Sequence, residues 1–163
     1  MRGLASHRHN GGFTLVEMVV TVALVALLAL IVTPLAQMTI QRAKEQELRT
    51  ALWQIREAID AFKKAGDEGR IYRSATTTGY PESLQLLVTG VTDLRDPKGR
   101  RLYFLRRIPR DPMQPEASRG GERGWGLRSY ASTAEAPQAG DDVYDVYSRS
   151  AGTGLNGIPY KEW

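Results

Sequence analysis

An uninterrupted apolar run close to the start of the chain limits what it can fold into more than any other feature. From Phe13 to Ala36 the residues are FTLVEMVVTVALVALLALIVTPLA, and Glu17 is the only formally charged side chain among them. A helix over this run would extend roughly 36 Å, which exceeds the roughly 30 Å hydrocarbon core of a bilayer. The run therefore predicts a transmembrane segment over residues 13–36.

The segment before this run, residues 1–12, is short and basic, with Arg2 and Arg8 and no acidic residue. A secretory signal peptide begins similarly, but its apolar region is shorter and a small-residue cleavage site follows it. A plain membrane anchor fits the run but leaves Glu17 unexplained. A carboxylate within an apolar helix costs about 3 kcal/mol, so such residues are usually paired or functional.

The hexapeptide GFTLVE at residues 12–17 combines these features, and it resembles the processing site of the prepilin superfamily. The resemblance implies that a prepilin peptidase cuts between Gly12 and Phe13 and that the new amine of Phe13 is methylated. It also implies that Glu17 meets the N-terminal amine of a neighbouring subunit during filament assembly. Such a partner would make a buried carboxylate tolerable.

The helix is predicted to continue beyond the apolar run, because residues 37–64 contain neither Gly nor Pro. Pro34 removes one helical hydrogen bond, and it marks either a kink, as in pilin-type helices, or the end of the membrane helix. Apolar residues then recur in steps of three and four, which trace one face of a helix. These stripe residues are Leu48, Leu52, Ile55, Ile59 and Phe62. We expect one helix of roughly 50 residues that ends near Gly66.

The remainder of the chain predicts short elements. A helix is expected over residues 80–88, with Pro81 in its first turn. Runs rich in aromatic and β-branched residues predict two antiparallel strands, at 125–132 and 143–148. The last residues are predicted to form a loop that packs back through two aromatic side chains, Tyr160 and Trp163.

Two further motifs resemble the major pseudopilins of type II secretion systems: GYPESLQLLVTG at residues 79–90 and IPRDP at 108–112. Met113 stands where that family usually has tryptophan. The resemblance implies an α+β fold, in which a long transmembrane-plus-amphipathic N-terminal helix packs on a small antiparallel β-sheet like a ladle. The implied domains are a removed leader (1–12), a transmembrane and assembly helix (13–36) and a periplasmic globular domain (37–163).

The function that this resemblance implies is that of a structural subunit. The protein would form a periplasmic pseudopilus that drives export through a type II secretion system, anchored by a single pass in the bacterial inner membrane. Its partners would be further copies of itself, other pseudopilins, the prepilin peptidase, and the inner-membrane assembly platform with its ATPase. Two alternatives stay open: a minor type IV pilin for adhesion, motility or DNA uptake, and a membrane-anchored periplasmic binding module that does not polymerise.

The chain offers little catalytic chemistry. It has no cysteine, and both histidines, His7 and His9, lie in the predicted leader. Nucleophilic triads and His-bearing zinc sites are therefore not expected in the mature chain, and we predict neither an enzyme nor an organic cofactor.

Calcium is the one metal to consider, because major pseudopilins bind it in the loop after the last strand. Residues 148–157, the corresponding stretch, contain no carboxylate, and Asn156 stands where an acid is expected. Calcium prefers several oxygen ligands, so the candidates would be more distant acids: Asp141, Asp142, Asp145 and Glu162. Packing by Tyr160 and Trp163 in place of a metal is the alternative.

Basic residues are concentrated in one part of the chain. The formal net charge is only +4, yet residues 95–128 carry ten Lys or Arg against four acids. Such a patch can bind nucleic acid, but it can equally contact acidic groups on a neighbouring subunit. We expect subunit contact or a solvated surface rather than a nucleic-acid partner, with Asp67, Glu68 or the acids of 141–145 as receiving groups.

Overall fold

The computed structural model describes residues 13–74, 77–115 and 122–163, with the backbone alone for 30–35 and 123. The elements in chain order are α1 (Leu15–Asp67), α2 (Leu84–Thr89), β1 (Val91–Thr92), β2 (Arg101–Leu102), β3 (Trp125–Arg128) and β4 (Asp145–Ser148). Two short 3-10 helices cover Glu122–Gly124 and Tyr160–Glu162. The chain divides into two compact units, Met1–Ile40 and Gln41–Trp163.

Local hydrogen bonds define both ends of α1. At its start the backbone N–H of Glu17 donates to the Thr14 hydroxyl oxygen at 3.2 Å, the arrangement of a helix N-cap. At its end the N–H of Gly69 donates to the carbonyl of Gly66, and the positive φ of Gly69 (67°) stops the helix. The predicted stop near Gly66 is therefore correct to within a turn. The helix continues through Pro34, so Pro34 does not end it, and the kink stays a prediction.

The first unit presents an apolar helix surface. Between Phe13 and Leu28, the large apolar side chains are each at least 50% exposed. A helix that is apolar all round is normally covered by lipid or by other helices. Among the described residues, no helix combines the length and apolarity needed to cross a membrane. The transmembrane segment predicted over 13–36 stays a prediction.

The second unit confirms the predicted stripe on α1. Leu48, Ile55 and Ile59 are fully buried, and the other two members, Leu52 and Phe62, are almost so. They share one hydrophobic core with residues from α2, β3 and β4, of which the largest are Leu84, Leu87, Trp125 and Val146. The amphipathic part of α1 thus packs on the strands as predicted.

The strands form two small antiparallel sheets. In one, β1 pairs with β2 through Val91 and Leu102, and in the other β3 pairs with β4 from Trp125–Ser148 to Arg128–Asp145. The architecture is α+β, and the predicted pairing of the last two strands is confirmed. The β1–β2 pair was not predicted, because strands of two residues carry no alternation signal.

Three predicted elements extend beyond the ends seen in the structure. Backbone groups just outside these ends hydrogen-bond to neighbouring loops instead of extending the element. The strand predicted to end at 132 ends at Arg128, since the N–H of Tyr130 donates to Asp142 Oδ1 at 2.9 Å. The strand predicted from 143 begins at Asp145. Val143 N–H donates instead to the carbonyl of Pro81 at 2.8 Å, and Pro81 lies before α2 rather than in its first turn.

Candidate functional site

The first turn of α1 presents the residues that the sequence singled out for processing and assembly. Phe13 is 77% exposed, and the carboxylate of Glu17 is exposed and has no hydrogen bond or ion pair with any described residue. The two residues are four positions apart, about one helical turn. The positive end of the helix dipole favours an acid there. Glu17 is therefore available to a partner outside the subunit.

Gly12 and the rest of the leader lie outside the described residues. The bond between Gly12 and Phe13, and the methylation of Phe13, therefore stay predictions. The Thr14 cap nevertheless places the start of the described helix only two residues after that bond.

The IPRDP motif has a structural role in the second unit. Asp111 is fully buried and accepts hydrogen bonds from the Ser148 hydroxyl at 2.7 Å and the Met113 N–H at 2.8 Å. The indole N–H of Trp125 donates to the carbonyl of Pro109 at 2.8 Å. The motif therefore ties the loop before β3 to both β3 and β4. Trp125, only 2% exposed, supplies from β3 a tryptophan contact to the motif.

The four calcium candidates do not form a ligand cluster. Asp145 binds Arg56 Nε at 2.7 Å and Arg128 Nη2 at 3.0 Å, and Asp142 accepts hydrogen bonds from the Thr78 hydroxyl and Tyr130 N–H. The other two, Asp141 and Glu162, are exposed. Within the described ranges there is no group of three or more His, Cys, Asp or Glu side chains able to hold a metal ion.

Arg56 is a contact residue that the sequence interpretation overlooked. Besides its ion pair with Asp145, its Nη2 atom donates to the backbone oxygens of Val146 at 3.1 Å and Trp163 at 2.8 Å. It therefore connects α1, β4 and the C-terminal residues. Arg56 lies outside the apolar stripe, and nothing in the local sequence indicates which distant oxygen atoms it meets.

Most of the acids proposed to receive arginines from a neighbour are engaged within the chain. Asp67 binds Lys63 and Arg73, each at 2.6 Å, and the hydrogen bond from Lys63 is the main cause that lowers the pKa of Asp67. Asp142 and Asp145 are engaged as described above. Asp141 is exposed, and contacts of these acids with a neighbouring subunit stay a prediction. Other exposed carboxylates on α1 have no described partner, namely Glu57 and Asp60.

A comparison with protein families matches residues 7–33 to a prokaryotic N-terminal methylation motif. The match includes Gly12, Phe13 and Glu17, and it supports a type IV pilin-like or pseudopilin-like protein. The motif implies processing by prepilin peptidase and pilus-type assembly, and it suggests a membrane-anchored N-terminus. Comparisons with curated proteins and with solved structures find no match.

Proposed function

We propose that this protein is a structural subunit of the pseudopilus of a type II secretion system. The mature chain begins at Phe13 after prepilin peptidase has removed residues 1–12 and methylated the new amine. The subunit rests in the inner membrane with its second unit in the periplasm, and it has no catalytic role. An assembly platform and its ATPase extract it into a filament that pushes folded proteins outward.

The main support for this proposal is the surface of the first half of α1. Its large apolar side chains are exposed over several turns, and its single carboxylate, Glu17, has no described partner. Lipid would cover the apolar surface of a free subunit, and sister helices would cover it in a filament. Only the filament also brings an amine, that of a neighbouring Phe13, to the carboxylate. Polymerisation therefore accounts for both the exposed apolar surface and the carboxylate without a partner, whereas a simple membrane anchor accounts only for the apolar surface.

The second unit favours a pseudopilin over a type IV pilin. The IPRDP motif resembles the pseudopilin signature, and its residues make the buried contacts of Asp111 and Pro109 described above. These contacts give the motif a packing role in this chain, which supports the resemblance in that region. The preference for a pseudopilin is based on this motif and on the resemblance of residues 79–90. No feature of the first unit is used to distinguish the two classes.

Charged side chains on the second unit suit contacts between subunits. Arg106 and Arg107 are exposed and have no partner among the described residues. The unpartnered carboxylates of Glu57 and Asp60 lie on α1. Ion pairs between copies would give partners to these arginines and these carboxylates. Each exposed pair would stabilise the assembly by about 0.2–1 kcal/mol. This complementarity supports self-assembly over nucleic-acid binding.

Deletion of the gene in its own host tests the proposed system. We expect exported enzymes to accumulate in the periplasm, while twitching motility and DNA uptake remain at parental levels. The chain expressed from a plasmid should restore export, and a copy with Gly12→Val, which blocks the predicted cleavage, should not. Normal export with lost motility or DNA uptake would instead identify a type IV pilin, and no change in any of the three would favour a non-polymerising module.

A further inference from the structure

The last twelve residues form a compact turn against α1, here named the C-terminal loop (residues 152–163). Thr153 and Pro159 form an antiparallel bridge, and the N–H of Gly154 donates to the carbonyl of Ile158 at 2.9 Å. The Asn156 side-chain oxygen accepts from the N–H of Ile158 at 3.1 Å. Gly157 provides the positive φ (80°) that the turn requires.

One carboxylate of α1, that of Glu45, contacts both the turn and the aromatic end of this loop, while Arg56 contacts its last residue. Glu45 is only 8% exposed, and its Oε1 accepts from the N–H of Leu155 at 2.8 Å and the hydroxyl of Tyr160 at 3.0 Å. The Gln41 amide donates to the same oxygen at 3.2 Å and to the Tyr160 hydroxyl at 3.0 Å. Hydrogen bonds to an ionised group are about twice as strong as neutral ones. Glu45 therefore joins the turn of the loop and its aromatic end to one point on the helix.

The residues around the loop do not fit calcium. A calcium ion takes about six to eight oxygen ligands, but the only carboxylate of the loop is Glu162, which is exposed. The Asn156 oxygen is already used within the turn. Three donors direct hydrogens at Glu45 Oε1, and a cation at that oxygen would have to displace them.

Close packing explains the glycines of the loop without a metal. A Cβ atom at Gly154 would lie 2.5 Å from Trp163 Cζ2, and one at Gly152 would lie 3.1 Å from Tyr160 Cε2. The rings of Tyr160 and Trp163 meet edge to face, with centroids 5.2 Å apart. Larger residues at either glycine would push these rings away, so the glycine-rich sequence follows from the aromatic contacts.

We propose that Glu45 closes the C-terminal loop in place of a divalent cation, so that the loop depends on this carboxylate and not on calcium. The periplasmic surface that the loop forms would then persist where calcium is scarce or chelated. Burial raises the pKa of Tyr160, which keeps its hydroxyl a donor to Glu45 throughout the physiological range.

Hydrogen exchange followed by mass spectrometry tests this proposal on the full-length, unassembled subunit in detergent micelles. In the parent, protection of residues 152–163 should be the same in millimolar calcium and in EDTA. Glu45→Ala should lower that protection by at least about tenfold under both conditions, the loss expected for charge-assisted hydrogen bonds. The matched control is Glu57→Ala, a carboxylate on the same helix with no described partner, which should exchange as the parent does.

Tyr160→Phe provides a second variant that keeps the ring and removes one hydrogen bond to Glu45. It should lower protection of the loop by about fivefold and leave the rest of the unit unchanged. If Glu45→Ala unfolds the whole unit, this variant tests whether the loop depends on Glu45. The proposal is overturned if calcium increases protection of the parent loop, if Glu45→Ala exchanges like the parent, or if Tyr160→Phe does. Because no filament is involved, none of these results depends on the proposed secretion role.

Discussion

Replacing Glu17 by leucine is expected to leave the protein in the membrane and to reduce crosslinking between subunits by at least about tenfold. Removal of a carboxylate from an apolar helix favours insertion by about 3 kcal/mol, so membrane extraction should be unchanged or harder. Assembly should fail because the amine of the neighbouring Phe13 loses its partner. A tenfold loss corresponds to about 1.4 kcal/mol per contact, a low estimate for a charge pair shielded from water.

The measurement is in-cell crosslinking with secretion of a reporter protein read in parallel. The chain has no native cysteine, so a single introduced cysteine gives an unambiguous crosslink. Val16→Leu is the matched control, because it changes a side chain in the same turn without touching the carboxylate, and it should assemble normally. If Glu17→Leu inserts, crosslinks and supports secretion like the parent, Glu17 is not an assembly residue. That result would favour a plain membrane anchor over a filament subunit.

Phe62→Ala should lower the free energy of unfolding of the second unit by about 3–5 kcal/mol, the usual cost of removing a buried aromatic ring. Phe62 is 7% exposed and lies in the core shared by α1 and the strands. Its ring meets that of Phe104 edge to face at 5.4 Å, and the substitution removes that contact as well. A loss of this size is a large part of the roughly 5–15 kcal/mol by which domains are stable.

Chemical denaturation of a fragment spanning residues 41–163 measures this effect. Trp53→Ala is the matched control, since Trp53 lies on the same helix but is 63% exposed, and it should change stability by less than about 0.5 kcal/mol. Equal losses in the two variants would mean that the stripe does not form the core contact described.

The stripe on α1 could be predicted because side chains three and four residues apart share a helix face whatever the rest of the chain does. The same periodicity extends backward in steps of three and four, through Glu45 to Gln41. These two residues were left out of the stripe because they are polar. The structure shows that they continue it, with the C-terminal loop as their partner. A carboxylate at a position that continues the spacing of an apolar stripe therefore indicates a buried polar contact.

Long-range contacts explain what the sequence could not reveal. Arg56 meets Asp145 and the backbone oxygen of Trp163, residues about ninety and more positions away, and no local pattern encodes such a pairing. Asp111 belongs to a motif that was found from resemblance, but its burial beneath Ser148 was not foreseen. The two short strands β1 and β2 depend on their mutual pairing and leave no periodic trace.

The proposed filament role requires that the chain is processed as a prepilin. Intact-mass measurement of the protein extracted from host membranes tests it most directly. We expect a mature chain that begins at Phe13 and carries one additional methyl group on its N-terminal amine, with the unprocessed mass recovered when the prepilin peptidase is absent. A mature N-terminus beyond Ala36 would contradict it and indicate a signal peptide, and an intact Met1 in cells with active peptidase would contradict it in favour of an unprocessed anchor.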